Sequence, residues 1–238
     1  METNGAKLLP FYVVVDVSYS MSGKKIRSAN TIMPTIVDAL AENPILSDKV
    51  RIGLVDFSDD ARVVLPLCDV LEPSLTLPTL KVRGSTSYVA AFTLLRSTID
   101  ANIRQLKADG YLVHRPAVFF LSDGEPTDKE HEWRAAFADL VSDKAYPNVI
   151  PFGVDDADGR TLQLLIHPSS GEKQMRMYLM DKGEDAAKAI TSMAEIMITS
   201  VVQSGHSMSQ GQSGILLPDK TDLPAGVTSY AAADDDFV

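Results

Sequence analysis

Cysteine is almost missing from this sequence: Cys68 is the one cysteine in 238 residues. A single thiol cannot form an internal disulfide, so the fold must depend on a buried apolar core. Hydrophobic residues make up 45% of the chain, which is ordinary for a soluble globular protein, and 238 residues are enough for one large α/β domain or for two small ones. Cys68 itself follows Pro66 and Leu67 and is interpreted as a core-filling residue.

A hydrophobic run of membrane-spanning length is also missing near the N-terminus. The apolar run Leu8 to Val15 contains Pro10 and stops at Asp16, whereas a membrane helix needs about 20 apolar residues. The polar residues before it carry one charge of each sign, unlike a secretory signal. These features, with the lack of a disulfide framework, favour a cytoplasmic protein that does not enter a membrane.

Basic residues are fewer than acidic ones, with 22 Lys and Arg against 32 Asp and Glu and a formal net charge of -10. Nonspecific binding to nucleic acid or to anionic membranes requires clustered Lys and Arg. The balance therefore argues against nucleic-acid and membrane partners. It is compatible with cation binding, although acidic surfaces commonly serve solubility alone.

Several enzyme motifs are missing as well. The sequence contains no P-loop, no Gly-x-Gly-x-x-Gly fingerprint and no Gly-x-Ser-x-Gly elbow. Its four histidines are widely spaced, at His114, His131, His167 and His206. A nucleotide-binding enzyme of these classes and a Ser-His-Asp hydrolase are therefore unsupported.

What the sequence does contain is a regular alternation of strand and helix patterns. Continuous β-branched and aromatic runs predict strands over 11–15, 50–57, 61–70, 117–121, 149–154 and 175–180. Helical spacing of apolar residues predicts helices over 24–40, 88–106, 162–166 and 186–202, and one that begins near Thr127 and Glu130 with capping-box spacing. Pro34 predicts a kink or a break in the first helix. The expected fold is a doubly wound, mostly parallel α/β sheet with helices on both faces.

The composition changes near residue 203. Residues 204–214 are rich in Gly and Ser and are typical of a flexible linker. We therefore expect a domain over 8–202 and a flexible C-terminal tail over 203–238. The apolar islands in the tail, such as Ile215 to Pro218, leave open a docking peptide for another chain or for the domain's own surface.

Oxygen-bearing side chains follow the predicted strands at three crossovers. Asp16-Val-Ser-Tyr-Ser20 follows the first strand, Ser122-Asp123-Gly124 follows a later buried strand, and Gly84-Ser-Thr86 precedes the long helix. In open α/β sheets, ligands bind beyond the carboxyl ends of the strands, where the strand order reverses. Mg²⁺ prefers about six oxygen ligands, so these loops predict a divalent cation site if they converge. The alternative for each segment alone is a helix cap.

These segments resemble von Willebrand factor A (VWA) domains, especially those of the bacterial tellurium-resistance group. The resemblance covers residues 8 to 202 and rests on residues 11–21 (FYVVVDVSYSM), 84–88 and 119–128 (FFLSDGEPTD). It implies a Rossmann-like fold and a non-catalytic module that binds a protein partner through a metal-ion-dependent adhesion site. It also implies the metal residues of that site, which are Asp16, Ser18, Ser20, Thr86 and Asp123.

In the resembling family the serines and the threonine bind the ion, the aspartates often act through water, and a partner carboxylate fills the open position. The expected ion is one Mg²⁺, with Mn²⁺ or Ca²⁺ as alternatives. Tyr19 and Ser85 stand where the family commonly has Gly. Neither change removes a ligand, and Tyr19 could either shape partner choice or lie over the neighbouring loop.

Two other functions are left open. A haloacid-dehalogenase-like phosphohydrolase would use Asp16 as nucleophile, Ser122, and the acidic pair Asp155 and Asp156, but Ser18 stands where its general acid is needed. A self-associating scaffold could instead offer a carboxylate from the tail, at Asp234 to Asp236, to the ion of a neighbouring copy.

Overall fold

A computed structural model of the chain describes residues 5–43, 46, 48–142, 146–211 and 214–234. Strands and helices alternate through most of it, as the sequence pattern predicts. In chain order they are β1 (Lys7–Asp16), α1 (Lys24–Ala29), α2 (Ile32–Ala41), β2 (Val50–Phe57), β3 (Ala61–Cys68), α3 (Tyr88–Ala108), β4 (Leu112–Val113), β5 (Ala117–Ser122), α4 (Glu130–Leu140), β6 (Asn148–Gly153), α5 (Gly159–Gln163), β7 (Arg176–Met180), α6 (Ala186–Ser209) and β8 (Val227–Ala231).

The strands form one sheet in the order β3-β2-β1-β5-β6-β7-β8, and β4 pairs with β1 beside this path. The pairs of β1 with β2, β4 and β5, of β5 with β6, and of β6 with β7 are parallel. The outer pairs β2–β3 and β7–β8 are antiparallel. The mostly parallel α/β fold is therefore confirmed, and the strand order reverses between β1 and β5.

Both faces of the sheet are covered. Every residue of β1 from Leu8 to Asp16 is buried, and all of β5 and β6 are buried too, which requires packing on both sides because alternate side chains point to opposite faces. Helices α3 and α4 pack together as one group, and α1, α2 and α6 as another. Among the described residues, no helix has the length and apolar character needed to span a bilayer.

The predicted break in the first helix occurs three to four residues before Pro34. Helix α1 ends at Ala29, and the Asn30 side chain donates to the Ile26 and Leu80 carbonyls and accepts from the Leu80 amide. Helix α2 then begins at Ile32, which places Pro34 in its first turn. Proline is tolerated there because the first amides of a helix lack an intrahelical acceptor.

The C-terminal region corrects the prediction of a flexible linker from residue 203. Helix α6 continues to Ser209, with Ser204, Ser207 and Met208 buried, and β8 joins the sheet beside β7. The Gly and Ser content predicts a linker, but Ser204, Gly205 and Ser207 are buried, and Gly205 packs closely against Leu46. Ile215 also packs on the core, so this part of the apolar island docks on the domain's own surface.

Of the three tail carboxylates at Asp234 to Asp236, the structure describes only Asp234. Asp234 accepts a hydrogen bond from the Ala231 amide and lies 3.7 Å from the Lys220 ammonium. Asp235 and Asp236 lie outside the described residues. Self-association through the tail stays a prediction.

Candidate metal centre

The candidate site lies at the carboxyl ends of β1 and β5. Asp16 is the last residue of β1 and Ser122 the last of β5, and these two strands are parallel neighbours. The chain runs outward from β1 through β2 to one edge and later through β5 to the other, so this is the switch point of the sheet. Parallel α/β sheets bind ligands at this position.

Asp16 is a buried carboxylate with both oxygens engaged. Its Oδ1 accepts from the Ser18 amide at 2.8 Å, and its Oδ2 accepts from Ser122 Oγ at 2.8 Å. Burial raises the pKa of Asp16 to about 6, against the opposing effect of the hydrogen bonds from Ser18 and Ser122. A carboxylate with a raised pKa gains from a nearby cation, because the cation favours its charged form.

Ser18, Ser20 and Asp123 form a continuous chain of oxygens. The two hydroxyl oxygens lie 2.9 Å apart, and Ser20 Oγ donates to Asp123 Oδ1 at 2.6 Å across 103 residues of sequence. Adjacent ligands in an octahedron of radius 2.1 Å lie about 3.0 Å apart. The spacing of these oxygens therefore fits a small divalent cation.

Thr86 is held beside these residues by backbone hydrogen bonds between loops. The Tyr19 amide donates to the Gly84 carbonyl at 3.1 Å, and the Thr127 amide donates to the Thr86 carbonyl at 2.7 Å. Ser18, Ser20 and Thr86 line one open surface pocket. Of the five predicted metal residues, four are thus joined through hydrogen bonds and Thr86 lies on the wall of the pocket that the two serines line.

Hydroxyl groups would be essential to any cation bound here. Among the described residues there is no group of three or more His, Cys, Asp or Glu side chains that could hold a metal. The site offers two buried carboxylates, Asp16 and Asp123, and the hydroxyls of three further residues. This donor set consists only of oxygen and fits a hard cation such as Mg²⁺ or Mn²⁺.

Arg83 fixes the loop that carries Thr86, a role that sequence reasoning missed. Its amide donates to the Val17 carbonyl at 2.7 Å, and its guanidinium donates to Asp56 Oδ1 at 2.5 Å and to Ser58 Oγ at 2.5 Å. Asp56 is buried near the end of β2, so the arginine joins that strand to the loop. An Asp within a buried apolar strand could have signalled such a partner.

Asp59 is a further carboxylate on the rim of the pocket. It accepts from the Ser85 amide at 2.8 Å and from the Ser85 hydroxyl. These hydrogen bonds lower the pKa of Asp59. Ser85 therefore anchors the loop next to Thr86.

Lys25 contacts the site directly and was also missed. Its ammonium lies 2.5 Å from Asp123 Oδ2 and 2.6 Å from Asp155 Oδ2. Burial alone would lower the pKa of Lys25, but the bonds to both carboxylates raise it. No local pattern indicated the contact, because Lys25 is 98 and 130 residues from its partners.

Asp128 and Thr127, which follow β5, form hydrogen bonds with residues at and just before the start of α3. Asp128 accepts from Ser87 Oγ and the Val89 amide, so it caps α3 and not the helix that follows it. The capping box of Thr127 and Glu130 is wrong. Helix α4 has Lys129 at its N-cap with no side-chain cap, and Thr127 Oγ1 instead donates to the Thr86 carbonyl at 2.9 Å.

Tyr19 projects outward beside the pocket, with 72% of its surface exposed. It does not lie packed over the neighbouring loop, so it is available to a partner.

The geometry disfavours the hypothesis of a dehalogenase-like phosphohydrolase, since the Asp16 carboxylate is fully buried and accepts hydrogen bonds on both oxygens. Asp155, proposed there as part of the acidic pair, is directed to Lys25.

Comparisons with known proteins bear on the family and on the fold. Residues 11–125 match a family model described as the von Willebrand factor type A domain. The matched segment includes Asp16, Ser18, Ser20, Thr86 and Asp123. A comparison with curated proteins finds no match to this chain.

Solved structures share the fold at low sequence identity. A von Willebrand factor type A protein from Catenulispora acidiphila matches with 14% identity and a TM-score of 0.58, covering 82% of this chain and 43% of that one. The pilus adhesin SpaC from Lactobacillus rhamnosus GG matches with 14% identity and a TM-score of 0.61, covering 82% and 31%.

Proximal thread matrix protein 1 from the mussel byssus, described with a zinc-occupied MIDAS motif, matches with 11% identity and a TM-score of 0.51, covering 83% of this chain and 48% of that one. The present chain thus spans less than half of each of these three structures. At such identities the likeness shows the fold alone.

Proposed function

We propose that this chain is a VWA domain that binds one divalent cation and, through it, a protein partner. The observation that carries the proposal is the chain of oxygens from Ser18 through Ser20 to Asp123 at the switch point of the sheet. The match of residues 11–125 to the VWA family model supports it. The zinc-occupied motif of the mussel byssus protein supports divalent metal binding on this fold.

The hydroxyls of Ser18, Ser20 and Thr86 would hold the ion, with Asp16 and Asp123 contributing directly or through water. Mg²⁺ is the expected ion because the donors are all oxygen and the hydroxyl spacing is short. When bound, the ion supplies a positive charge at the protein surface. The two carboxylates offset that charge, and the hydroxyls add none.

A partner carboxylate is the proposed sixth ligand. The pocket at Ser18, Ser20 and Thr86 opens to the surface, so a side chain of another protein can reach an ion held there. Exposed Tyr19 stands beside this opening and would contact residues that flank the partner's carboxylate. We propose no catalytic step, because Asp16, the nucleophile that a dehalogenase-like reaction would use, is buried and accepts hydrogen bonds on both carboxylate oxygens. A role in a bacterial tellurium-resistance-type system is proposed from the motif resemblance.

Calorimetric titration with Mg²⁺ and Mn²⁺ tests the cation site. Removing one hydroxyl ligand in Ser18→Ala or Thr86→Ala should weaken Mg²⁺ binding at least tenfold, on the order of the loss seen when a polar partner is removed from a buried site. The double variant Asp16→Ala with Ser18→Ala should show no binding.

The matched control is Ser22→Ala. Ser22 lies in the same loop, but its hydroxyl is exposed and donates only to the Tyr19 carbonyl at 2.6 Å. The Mg²⁺ affinity of the Ser22→Ala variant should equal that of the wild type. If the Asp16 and Ser18 double variant binds Mg²⁺ as well as the wild type does, the proposed site is wrong.

A further inference from the structure

Lys25 is placed to act on the cation site from within the protein. Its side chain is only 14% exposed, and its ammonium bridges Asp123, which is fully buried, and Asp155, which is half exposed. The two oxygens of Asp123 accept hydrogen bonds from different donors: Oδ1 from the Ser20 hydroxyl and Oδ2 from the Lys25 ammonium. One carboxylate thus links the hydroxyls of the proposed metal site to an internal ammonium group.

We propose that Lys25 is an internal competitor of the divalent cation that sets how tightly the site binds metal, and that Asp155 retains the ammonium when the ion binds. This inference rests on the proposed function. Lys25 neutralises Asp123, which would otherwise face Asp16 as a second buried negative charge. A divalent cation on the same carboxylate takes over that neutralisation.

The competition follows from simple electrostatics. The ammonium bonds to one oxygen of Asp123, and a divalent ion held by Ser18 and Ser20 would lie near the other oxygen, bound to it directly or through water, so the two cations would repel each other at short range. Low exposure of Lys25 and Asp123 limits screening by water and salt. The site therefore binds Mg²⁺ more weakly than its oxygen ligands alone would allow.

Asp155 distinguishes this role from an ordinary ion pair. Its backbone has a φ of 56°, in the left-handed region that few residues other than Gly adopt, and its carboxylate lies 2.6 Å from the ammonium. When a cation weakens the bond between Lys25 and Asp123, Asp155 offers the ammonium a second acceptor. The second carboxylate thus reduces the cost of metal binding.

The neighbouring residue Lys24 provides a matched control. Its side chain is 76% exposed, and its ammonium lies 3.9 Å from Asp185. A lysine of this kind contributes little to local stability. Loss of its charge changes the net charge of the protein as much as loss of Lys25 does, but does not touch Asp123.

The test combines Mg²⁺ titration with thermal unfolding of the chelator-treated 238-residue chain. Lys25→Met should bind Mg²⁺ about tenfold more tightly than the wild type, unfold at lower temperature in chelator, and gain more from added Mg²⁺. Asp155→Asn should bind Mg²⁺ several-fold more weakly, since Asn tolerates the left-handed backbone but does not hold the ammonium as a carboxylate does. Lys24→Met should match the wild type in both measurements.

Opposite shifts in Lys25→Met and Asp155→Asn are the required result. If Lys25→Met and the milder Lys25→Gln bind Mg²⁺ no more tightly than the wild type, while Ser18→Ala loses binding, the metal site is right and the role of Lys25 is overturned. If Ser18→Ala binds as the wild type does, or if neither the wild type nor Lys25→Met binds Mg²⁺, the proposed function fails and the role of Lys25 fails with it. If Lys25→Met binds Mg²⁺ and the wild type does not, the result supports competition between Lys25 and the cation.

Discussion

At the scale of single residues, the site is governed by the burial of charge. Asp16 is fully buried at the end of a central strand, where its charged form is costly unless it is compensated. Two hydrogen bonds to its oxygens compensate only part of that cost, since its pKa remains raised to about 6. A divalent cation at the neighbouring hydroxyls would supply the rest.

The raised pKa of Asp16 predicts a pH-dependent stability in the presence of chelator. The folded protein holds the Asp16 proton up to about pH 6, whereas the ordinary value is 3.8, so the folded form is favoured at low pH. This contribution is present below about pH 4 and is lost as pH rises through 6. A shift of two units corresponds to about 3 kcal/mol.

Asp16→Asn isolates this effect, because Asn does not titrate and can keep hydrogen bonds to Ser18 and Ser122. The free energy of unfolding of the wild type should fall relative to Asp16→Asn by about 2–3 kcal/mol between pH 4 and pH 7 in chelator. Chemical denaturation at each pH measures the difference. Saturating Mg²⁺ should abolish the fall, and a difference that stays constant with pH would contradict this account of Asp16.

Which residues could be predicted depends on how they are positioned. Asp16 ends the buried strand β1 and Asp123 directly follows the buried strand β5, and parallel pairing of these strands brings their ends together by register alone. Lys25 and Arg83 contact the site through loops and a helix turn, whose course depends on the packing of the whole molecule. Their contacts could not be read from spacing in the sequence.

At the scale of the elements, the loop before α3 depends on Gly84. Its φ is 59°, and a Cβ at this position would lie 3.1 Å from the Asp59 amide nitrogen and closer still to the Asp59 carboxylate. The Gly84 carbonyl also accepts from the Tyr19 amide. The loop that presents Thr86 and the loop that presents Ser18 and Ser20 therefore meet at this glycine.

Gly84→Ala should destabilise the protein and weaken the cation site together. Strain at positive φ and the contact with Asp59 should lower the free energy of unfolding by about 1–3 kcal/mol. Thr86 should shift away from the serines, so Mg²⁺ affinity should fall at least several-fold by calorimetry.

Gly110→Ala serves as the matched control for Gly84→Ala. Gly110 has a φ of 89°, but a Cβ there meets no atom within 4 Å. It should lose stability through backbone strain and keep its Mg²⁺ affinity. Equal Mg²⁺ affinity in the two variants would show that Gly84 does not position Thr86.

The sequence predicts the long helix α3 better than it predicts the N-terminal cap of α4, for a physical reason. The apolar spacing of the long helix α3 persists over five turns and therefore predicts its position closely. The capping-box prediction for α4 is wrong because Thr127 and Asp128 form hydrogen bonds with residues 41 and 39 positions away. These side chains form hydrogen bonds that exist only in the tertiary fold, and they therefore do not cap the helix that follows them.

At the scale of the whole molecule, alternation of strands and helices predicted the doubly wound sheet, since crossover handedness leaves few topologies. The C-terminal region was not predicted, because strand β8 is short and its pairing with β7 joins residues about 50 positions apart. Gly and Ser in α6 were typical of a linker but pack closely in the core. Composition describes such a segment poorly when its neighbours are distant in sequence.

The loops that carry the candidate metal residues meet at the switch point between β1 and β5. The central claim is that a single divalent cation binds there. Crystals grown with Mn²⁺ and measured for its anomalous scattering test this most directly. We expect one strong peak per chain in contact with Ser18 Oγ, Ser20 Oγ and Thr86 Oγ1. No peak at these hydroxyls in Mn²⁺-saturated crystals, or a peak held elsewhere such as at Asp59, would contradict the claim.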